Sequence, residues 1–150
     1  MEDKWIDRYF GIAKAVADWS KDPSTQVGAI AVGEYGQILS QGYNGFPRGF
    51  PDKAEYLADR EKKYKYIVHA EMNCIYHATL HGISLKGASM YVYGLHICHE
   101  CAKGIIQSGI KEVYSMDVSK NNVKWLDSFK NTKYLFESTG VKYFQKKGPI

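Results

Sequence analysis

Short apolar strands alternate with amphipathic helices through the second half of the chain, and this alternation restricts the fold more than any other feature. Residues 88–93, 111–116 and 141–145 read as strands, and residues from about 99 to 108 and from about 123 to 138 carry helical periodicity between them. A helix between two strands returns the chain in the same direction, so right-handed crossovers set these strands side by side in parallel. The first half follows a different rule. A helix is predicted from about 5 to 19, where Trp5, Ile6, Tyr9, Phe10, Ile12, Ala13, Val16 and Trp19 make one wide apolar face, and Lys21-Asp22-Pro23-Ser24 ends it. Residues 26–33 read as a buried strand, Glu34-Tyr35-Gly36 as a hairpin turn and residues 37–41 as the returning strand. Residues 51–66 are polar and charged and admit a short helix or a long loop. A further helix is predicted over about 69–81, with Met72, Cys74, Ile75 and Ala78 inward. The sum is a three-layer α/β/α fold around a mixed five-stranded sheet.

The 150 residues suit one domain, residues 1–150, and 45% hydrophobic with 24% charged residues fits a globular chain. No apolar run approaches the roughly 18 residues of a membrane span. The start, Met1-Glu2-Asp3-Lys4-Trp5, lacks a basic segment followed by an apolar one, so no secretory signal, no membrane partner and a cytoplasmic location are expected. A net charge of +4 favours anionic ligands slightly and falls short of a nucleic-acid-binding stripe. Three cysteines, Cys74, Cys98 and Cys101, cannot all pair, which argues against a disulfide scaffold.

Two segments carry chemistry: His69-Ala70-Glu71 and Cys98-His99-Glu100-Cys101. Each stands at a predicted helix start. Cys98 and Cys101 are three apart, so one turn brings both sulfurs to one side, and the free N–H groups of that turn favour thiolates. One imidazole and two sulfurs are a donor set that zinc prefers, and three protein donors leave a fourth position open for water, the pattern of a catalytic site. Two thiolates cancel the ion's formal charge, so the water needs help to lose its proton, and Glu71 is the candidate for that work. A structural zinc site and a redox cysteine pair are the competing readings of Cys-x-x-Cys. His-x-Glu followed by Pro-Cys-x-x-Cys is the signature of zinc-dependent nucleobase deaminases, with Ile97 standing here in place of the proline.

Longer stretches sharpen the likeness. Ser24-Thr25-Gln26-Val27-Gly28-Ala29, Gly42-Tyr43-Asn44-Gly45-Phe46-Pro47-Arg48-Gly49, His69-Ala70-Glu71-Met72-Asn73 and Cys98-His99-Glu100-Cys101-Ala102-Lys103 resemble the deoxycytidylate (dCMP) deaminases, part of the cytidine-deaminase-like group. The segment Ile105-Ile106-Gln107-Ser108-Gly109-Ile110-Lys111 fits as well. The resemblance implies hydrolysis of dCMP to dUMP and ammonia, with zinc held by His69, Cys98 and Cys101 and Glu71 moving protons. It implies Asn44 on the sugar, backbone groups around Ala70 on the base edge, and Ser24 and Thr25 on phosphate or sugar. It also implies an allosteric site between subunits, with dCTP activating and dTTP inhibiting, Mg2+ accompanying the triphosphate, and Tyr43, Gly45, Phe46 and Arg48 contacting it. A homo-hexamer follows from the same resemblance.

Residues 49–68 contain no cysteine or histidine, so a single zinc per chain is expected. Where family members often place an aromatic residue over the phosphate, this chain reads Asp117-Val118-Ser119-Lys120, with Ser119 or Lys120 as substitutes. Two other functions compete: a tRNA or other polynucleotide deaminase, which would need a basic stripe, and a zinc-stabilised nucleotide-binding module without turnover. Elsewhere, Cys74 reads as a buried thiol, His77 and His81 as ordinary surface histidines, His96 as a loop residue lining the pocket, and Trp125 and Phe129 as helix core.

Overall fold

The computed structural model describes residues 3–117 and 126–148. Its elements run α1 (Asp3–Ala17), β1 (Gly28–Val32), β2 (Ile38–Tyr43), α2 (Ala54–Ala58), α3 (Arg60–Tyr66), α4 (Ala70–Leu80), β3 (Ser89–Tyr93), α5 (His99–Gln107), β4 (Glu112–Met116), α6 (Leu126–Thr139) and β5 (Lys142–Lys146). The five strands lie in the order β2-β1-β3-β4-β5. β1 is antiparallel to both β2 and β3, while β3, β4 and β5 are parallel. The mixed five-stranded sheet expected from the sequence is therefore the sheet observed.

Why β1 sits near the middle is visible in its sequence. Gly-Ala-Ile-Ala-Val has no polar face, and all five residues are buried, as a strand covered on both sides requires. One face of the sheet carries α1, whose Tyr9, Phe10, Ala13 and Val16 pack on Ile30, Val32, Tyr91 and Tyr114. On that face Tyr91, Tyr114 and Phe144 stand in register across β3, β4 and β5 and stack at 4.5 Å and 4.9 Å. The other face carries α4, α5 and α6, with Cys74, Ala78, Ala102, Ile105 and Phe136 against Ala29, Ala31, Met90, Val92 and Val113. Gly140, with φ 80°, ends α6 as the sequence indicates.

Several details differ from the expectation. Residues 51–66 form two short helices, α2 and α3, rather than one helix or a loop. The first helix stops at Ala17, and Trp19 lies beyond it, 59% exposed, with its ring edge-on to Tyr43. Trp5 and Ile12 are also on the exposed side of α1, so the apolar stripe is narrower than the sequence suggests. Met72 is only partly buried, while Cys74, Ile75 and Ala78 are buried as expected. Phe129 is buried, and Trp125, Ser119 and Lys120 lie outside the described residues. Among the described residues no helix is long and apolar enough to cross a membrane.

One glycine decides how the site helix is seated. A Cβ on Gly42 of β2 would meet the backbone of α4 at Cys74 N, at Ala70 O (2.7 Å) and at Asn73 C (2.7 Å). Backbone atoms cannot swing aside, so G42A is expected to cost about 3 kcal/mol. In a chain of this size that lowers the thermal midpoint by roughly 6–12 °C. Calorimetry of the variant checks it, and an unchanged midpoint would mean that α4 does not lie this close to β2.

Candidate metal centre

His69 and Cys98 are the N-cap residues of α4 and α5. Their backbones are extended, with φ −67° and ψ 153° for His69 and φ −75° and ψ 159° for Cys98. An N-cap side chain points back over the open end of its helix, where free N–H groups favour negative charge. Cys98 Sγ accepts from Cys101 N at 3.4 Å, so the first turn of α5 folds its second cysteine toward its first.

Two contacts bring the start of α4 to this place. Gly45 and Val68 exchange backbone hydrogen bonds of 3.1 and 2.7 Å, which holds the strand-like lead-in to His69 against the loop after β2. Asn73, one turn into α4, donates from Nδ2 to Tyr43 O at 2.8 Å. The Gly42–Gly49 stretch and the His69–Asn73 stretch, distant in sequence, thus meet through the Asn73 amide on the Tyr43 carbonyl and through the Gly45–Val68 backbone pair just ahead of His69.

The donors converge. His69 Nδ1 lies 3.3 Å from Cys101 Sγ and 3.5 Å from Cys98 Sγ, and the three donor atoms are all within 4.8 Å of one another. Zinc–nitrogen bonds near 2.0–2.1 Å and zinc–sulfur bonds near 2.3 Å at a tetrahedral angle set N···S edges of about 3.6 Å. The chemistry of the donor set and its spacing therefore fit a zinc ion. Cys101 is buried, Cys98 partly so, and the ring of His69 stands open on a cavity wall.

The local charges agree. Cys98 is pushed down to about 4, first by the hydrogen bond with Cys101, with His69 adding to the effect against the cost of burial. Cys101 is pushed up, because it shares a proton with Cys98 and is buried. The hydrogen bond with Cys98 raises His69 to about 9, burial opposing and Glu71 adding. Glu71 is 4% exposed. Burial lifts its carboxyl to about 7, His69 pulling the other way. Strongly shifted groups crowded together in one cleft mark a functional site. By contrast Cys74, pushed up to about 12 by burial, is an inert core thiol.

A cavity of about 370 Å³ opens beside the donors. His69, Ala70, Glu71, Leu95, His96 and Cys98 line it on the donor side, and Asp22, Ser24, Thr25, Arg60, Lys63 and Tyr64 also border it. Asn44, buried at the wall, accepts from Val27 N at 2.9 Å and donates to Thr25 O at 2.9 Å. Its amide thus pins the loop before β1 to the end of β2. Ser24 reaches Asp22 Oδ1 with both its N–H and its hydroxyl, at 2.9 Å each.

The structure brings His69, Ala70, Glu71, Cys98, Ser24, Thr25 and Asn44 to this one cavity, and Cys101 to the donor cluster beside it. It does not bring Tyr43, Gly45, Phe46 and Arg48 there. Arg48 lines a separate cavity of about 350 Å³ with His77, Leu80, His81 and Ile83. Phe46 packs against Phe50 and Tyr56, and Gly45 pairs with Val68. His77 Nδ1 lies 2.6 Å from Gln41 O, a structural contact. Sequence reasoning missed Arg60, Lys63 and Tyr64. The signal was present as a basic run, Arg60 to Lys65, just ahead of His69.

Comparison with known proteins points the same way. Residues 3–117 match the family model for the cytidine and deoxycytidylate deaminase zinc-binding region. The chain is 38% identical, over 94% of its length and 92% of the relative's, to an uncharacterized deaminase in the luxG 3′ region of Aliivibrio fischeri. It is 41% identical, over 93% of its length and 78% of the relative's, to the deoxycytidylate deaminase of Mus musculus. The crystal structure of dCMP deaminase from cyanophage S-TIM5 in complex with dCMP and dUMP matches 99% of both chains, with a TM-score of 0.75 and 25% identity.

Proposed function

Because the chain belongs to the cytidine and deoxycytidylate deaminase family and is a deaminase, we propose that its substrate is dCMP and that it yields dUMP and ammonia. The observation that carries this reading is the meeting of His69, Cys98 and Cys101 beside a buried Glu71 at one cavity. The relatives named for deoxycytidylate deamination support the choice of nucleotide.

His69 Nδ1, Cys98 Sγ and Cys101 Sγ would hold zinc, which when bound supplies the Lewis acidity that makes water nucleophilic near neutral pH. Glu71 accepts a proton from the attacking water and delivers it to ring nitrogen 3 as the oxygen bonds to carbon 4. The carboxylate then takes the proton of the new hydroxyl on carbon 4 and passes it to the amino group; as the carbon–oxygen double bond forms, the carbon–nitrogen bond breaks and ammonia leaves. Burial suits Glu71 to both halves of this cycle, since a carboxyl lifted toward neutrality both takes and gives protons readily. The Ala70 backbone orients the base, Asn44 meets the sugar, and Ser24 and Thr25 add hydroxyls on the cavity wall.

Regulation belongs to the same proposal: dCTP activates and dTTP inhibits, with Mg2+, in a homo-oligomer, a hexamer by resemblance. Arg48 at a cavity sharing no residue with the first supports a second nucleotide contact there. Tyr43, Gly45 and Phe46 set the course of that loop, Tyr43 through Trp19 and Phe46 through Phe50.

Incubation of the purified protein with dCMP, dCTP, cytidine and a tRNA, with ammonia release as readout, tests the reading. Release from dCMP is expected. Release from tRNA alone would make the protein a polynucleotide deaminase, and a zinc-loaded protein that releases none would be a binding module.

A further inference from the structure

We infer that Arg60, on the insertion helix α3, is the residue that selects a 5′-phosphorylated nucleotide over its nucleoside; the inference rests on the deaminase reading of the same cavity.

Arg60, Lys63 and Tyr64 are spaced i, i+3 and i+4, so they share one face of α3, and all three line the cavity that holds His69, Glu71 and Cys98. The helix is well seated. Asp59 caps it, accepting from Glu61 N at 3.0 Å and Lys62 N at 3.3 Å. At its other end Ile67 N bonds Lys63 O at 2.8 Å, Val68 pairs with Gly45, and the metal-binding His69 follows at once. The position of α3 is thereby linked to that of the donors.

The two cations of this face have different tasks. Lys63 is 7% exposed and Asp22 5%. Their ion pair spans 3.4 Å, and Lys63 Nζ also donates to Ser24 Oγ at 3.0 Å. A buried ammonium is tolerated only with such partners. Burial opposes the charge on Asp22, but the N–H and hydroxyl of Ser24, the N–H of Thr25 and the ammonium of Lys63 outweigh it and hold its carboxyl below the usual range. Lys63 is therefore neutralised within the protein, and Asp22 is spent on it.

Arg60 is not neutralised. It is exposed at the cavity, and none of the ion pairs among the described residues includes it. With Asp22 answered by Lys63, one positive charge is left over on that part of the wall. A guanidinium offers two parallel N–H donors that match two oxygens of a phosphate. Glu71 and His69, where the cytosine ring would react, and Arg60 line the same cavity, so a nucleotide held there by its base would have its 5′-phosphate in the space that Arg60 borders. Ser24 and Thr25 border the same region and add neutral polar groups.

The test compares dUMP with deoxyuridine by calorimetry on wild type, R60M and R60K, alongside ammonia release from dCMP by wild type. Wild type is expected to bind dUMP more tightly than deoxyuridine, and R60M to shrink that preference by about 10–100-fold, the effect of one charge-assisted contact. R60K, a point charge without the fork, is expected to recover part of it. A preference that survives in R60M, or a wild type without one, overturns the inference. The two readings fail separately. No ammonia from dCMP with a preference lost in R60M ends the deaminase reading and keeps Arg60. Ammonia release with a preference indifferent to R60M does the reverse.

Discussion

Replacing Glu71 with glutamine is expected to leave zinc content unchanged and to lower the rate of dCMP deamination by at least about 10²–10⁴-fold, the usual contribution of a general acid/base. Glu71 is the second residue of α4, buried beside His69, and lines the cavity next to the donors. Glutamine keeps its size and much of its hydrogen-bonding capacity but cannot carry a proton. The expected split, metal kept and turnover lost, separates proton transfer from metal binding. Glu71→Ala gives the same split with a larger cavity. Atomic absorption and ammonia release on one sample measure both halves. Turnover within a few-fold of wild type would remove Glu71 from the mechanism.

Cys101→Ala is expected to fail the other way, losing metal and turnover together. Cys101 is 2% exposed, and its sulfur stands 3.3 Å from His69 Nδ1. Removing it leaves one imidazole and one thiolate, too few donors to keep the ion. Loss of an outer partner of a metal ligand costs about 10–100-fold in affinity, and loss of the ligand itself should exceed that. Stability provides a second readout, since an ion that binds only the folded chain raises its midpoint. Wild type is expected to lose thermal stability when a chelator is added, and C101A to be indifferent to it. A C101A protein that still carries one zinc per chain would place the ion elsewhere.

Much of this could be read from the sequence, and the reasons are local. The all-apolar run at β1 and the helices between β3, β4 and β5 leave few topologies, so a mixed sheet with an antiparallel hairpin and parallel later strands follows from pattern, while the order of its strands comes from the structure. The donors were legible because His69, Cys98 and Cys101 stand at helix starts that short breaks announce. The insertion was not legible. Its helices have 5 and 7 residues. They pack through Tyr56 and Tyr66 onto Phe46 and Phe50 rather than on the main core. Helices this short show no readable period, and their aromatic partners come from another part of the chain. The task of Arg60 was hidden for the same reason. The end of α1 was misread because apolar residues continue to Trp19, while the chain turns at Ser20 to donate its hydroxyl to Asn44 O at 2.8 Å. That contact spans 24 positions and leaves no trace in local spacing.

Zinc titration of chelator-stripped protein, with conversion of dCMP followed by the loss of cytosine absorbance, bears most directly on the central claim. Stripped protein should be inactive, and activity should rise linearly to a plateau at one zinc per chain, with ammonia and dUMP formed in equal amounts. Full activity without metal, or stoichiometric zinc binding that restores no dUMP formation, would contradict it.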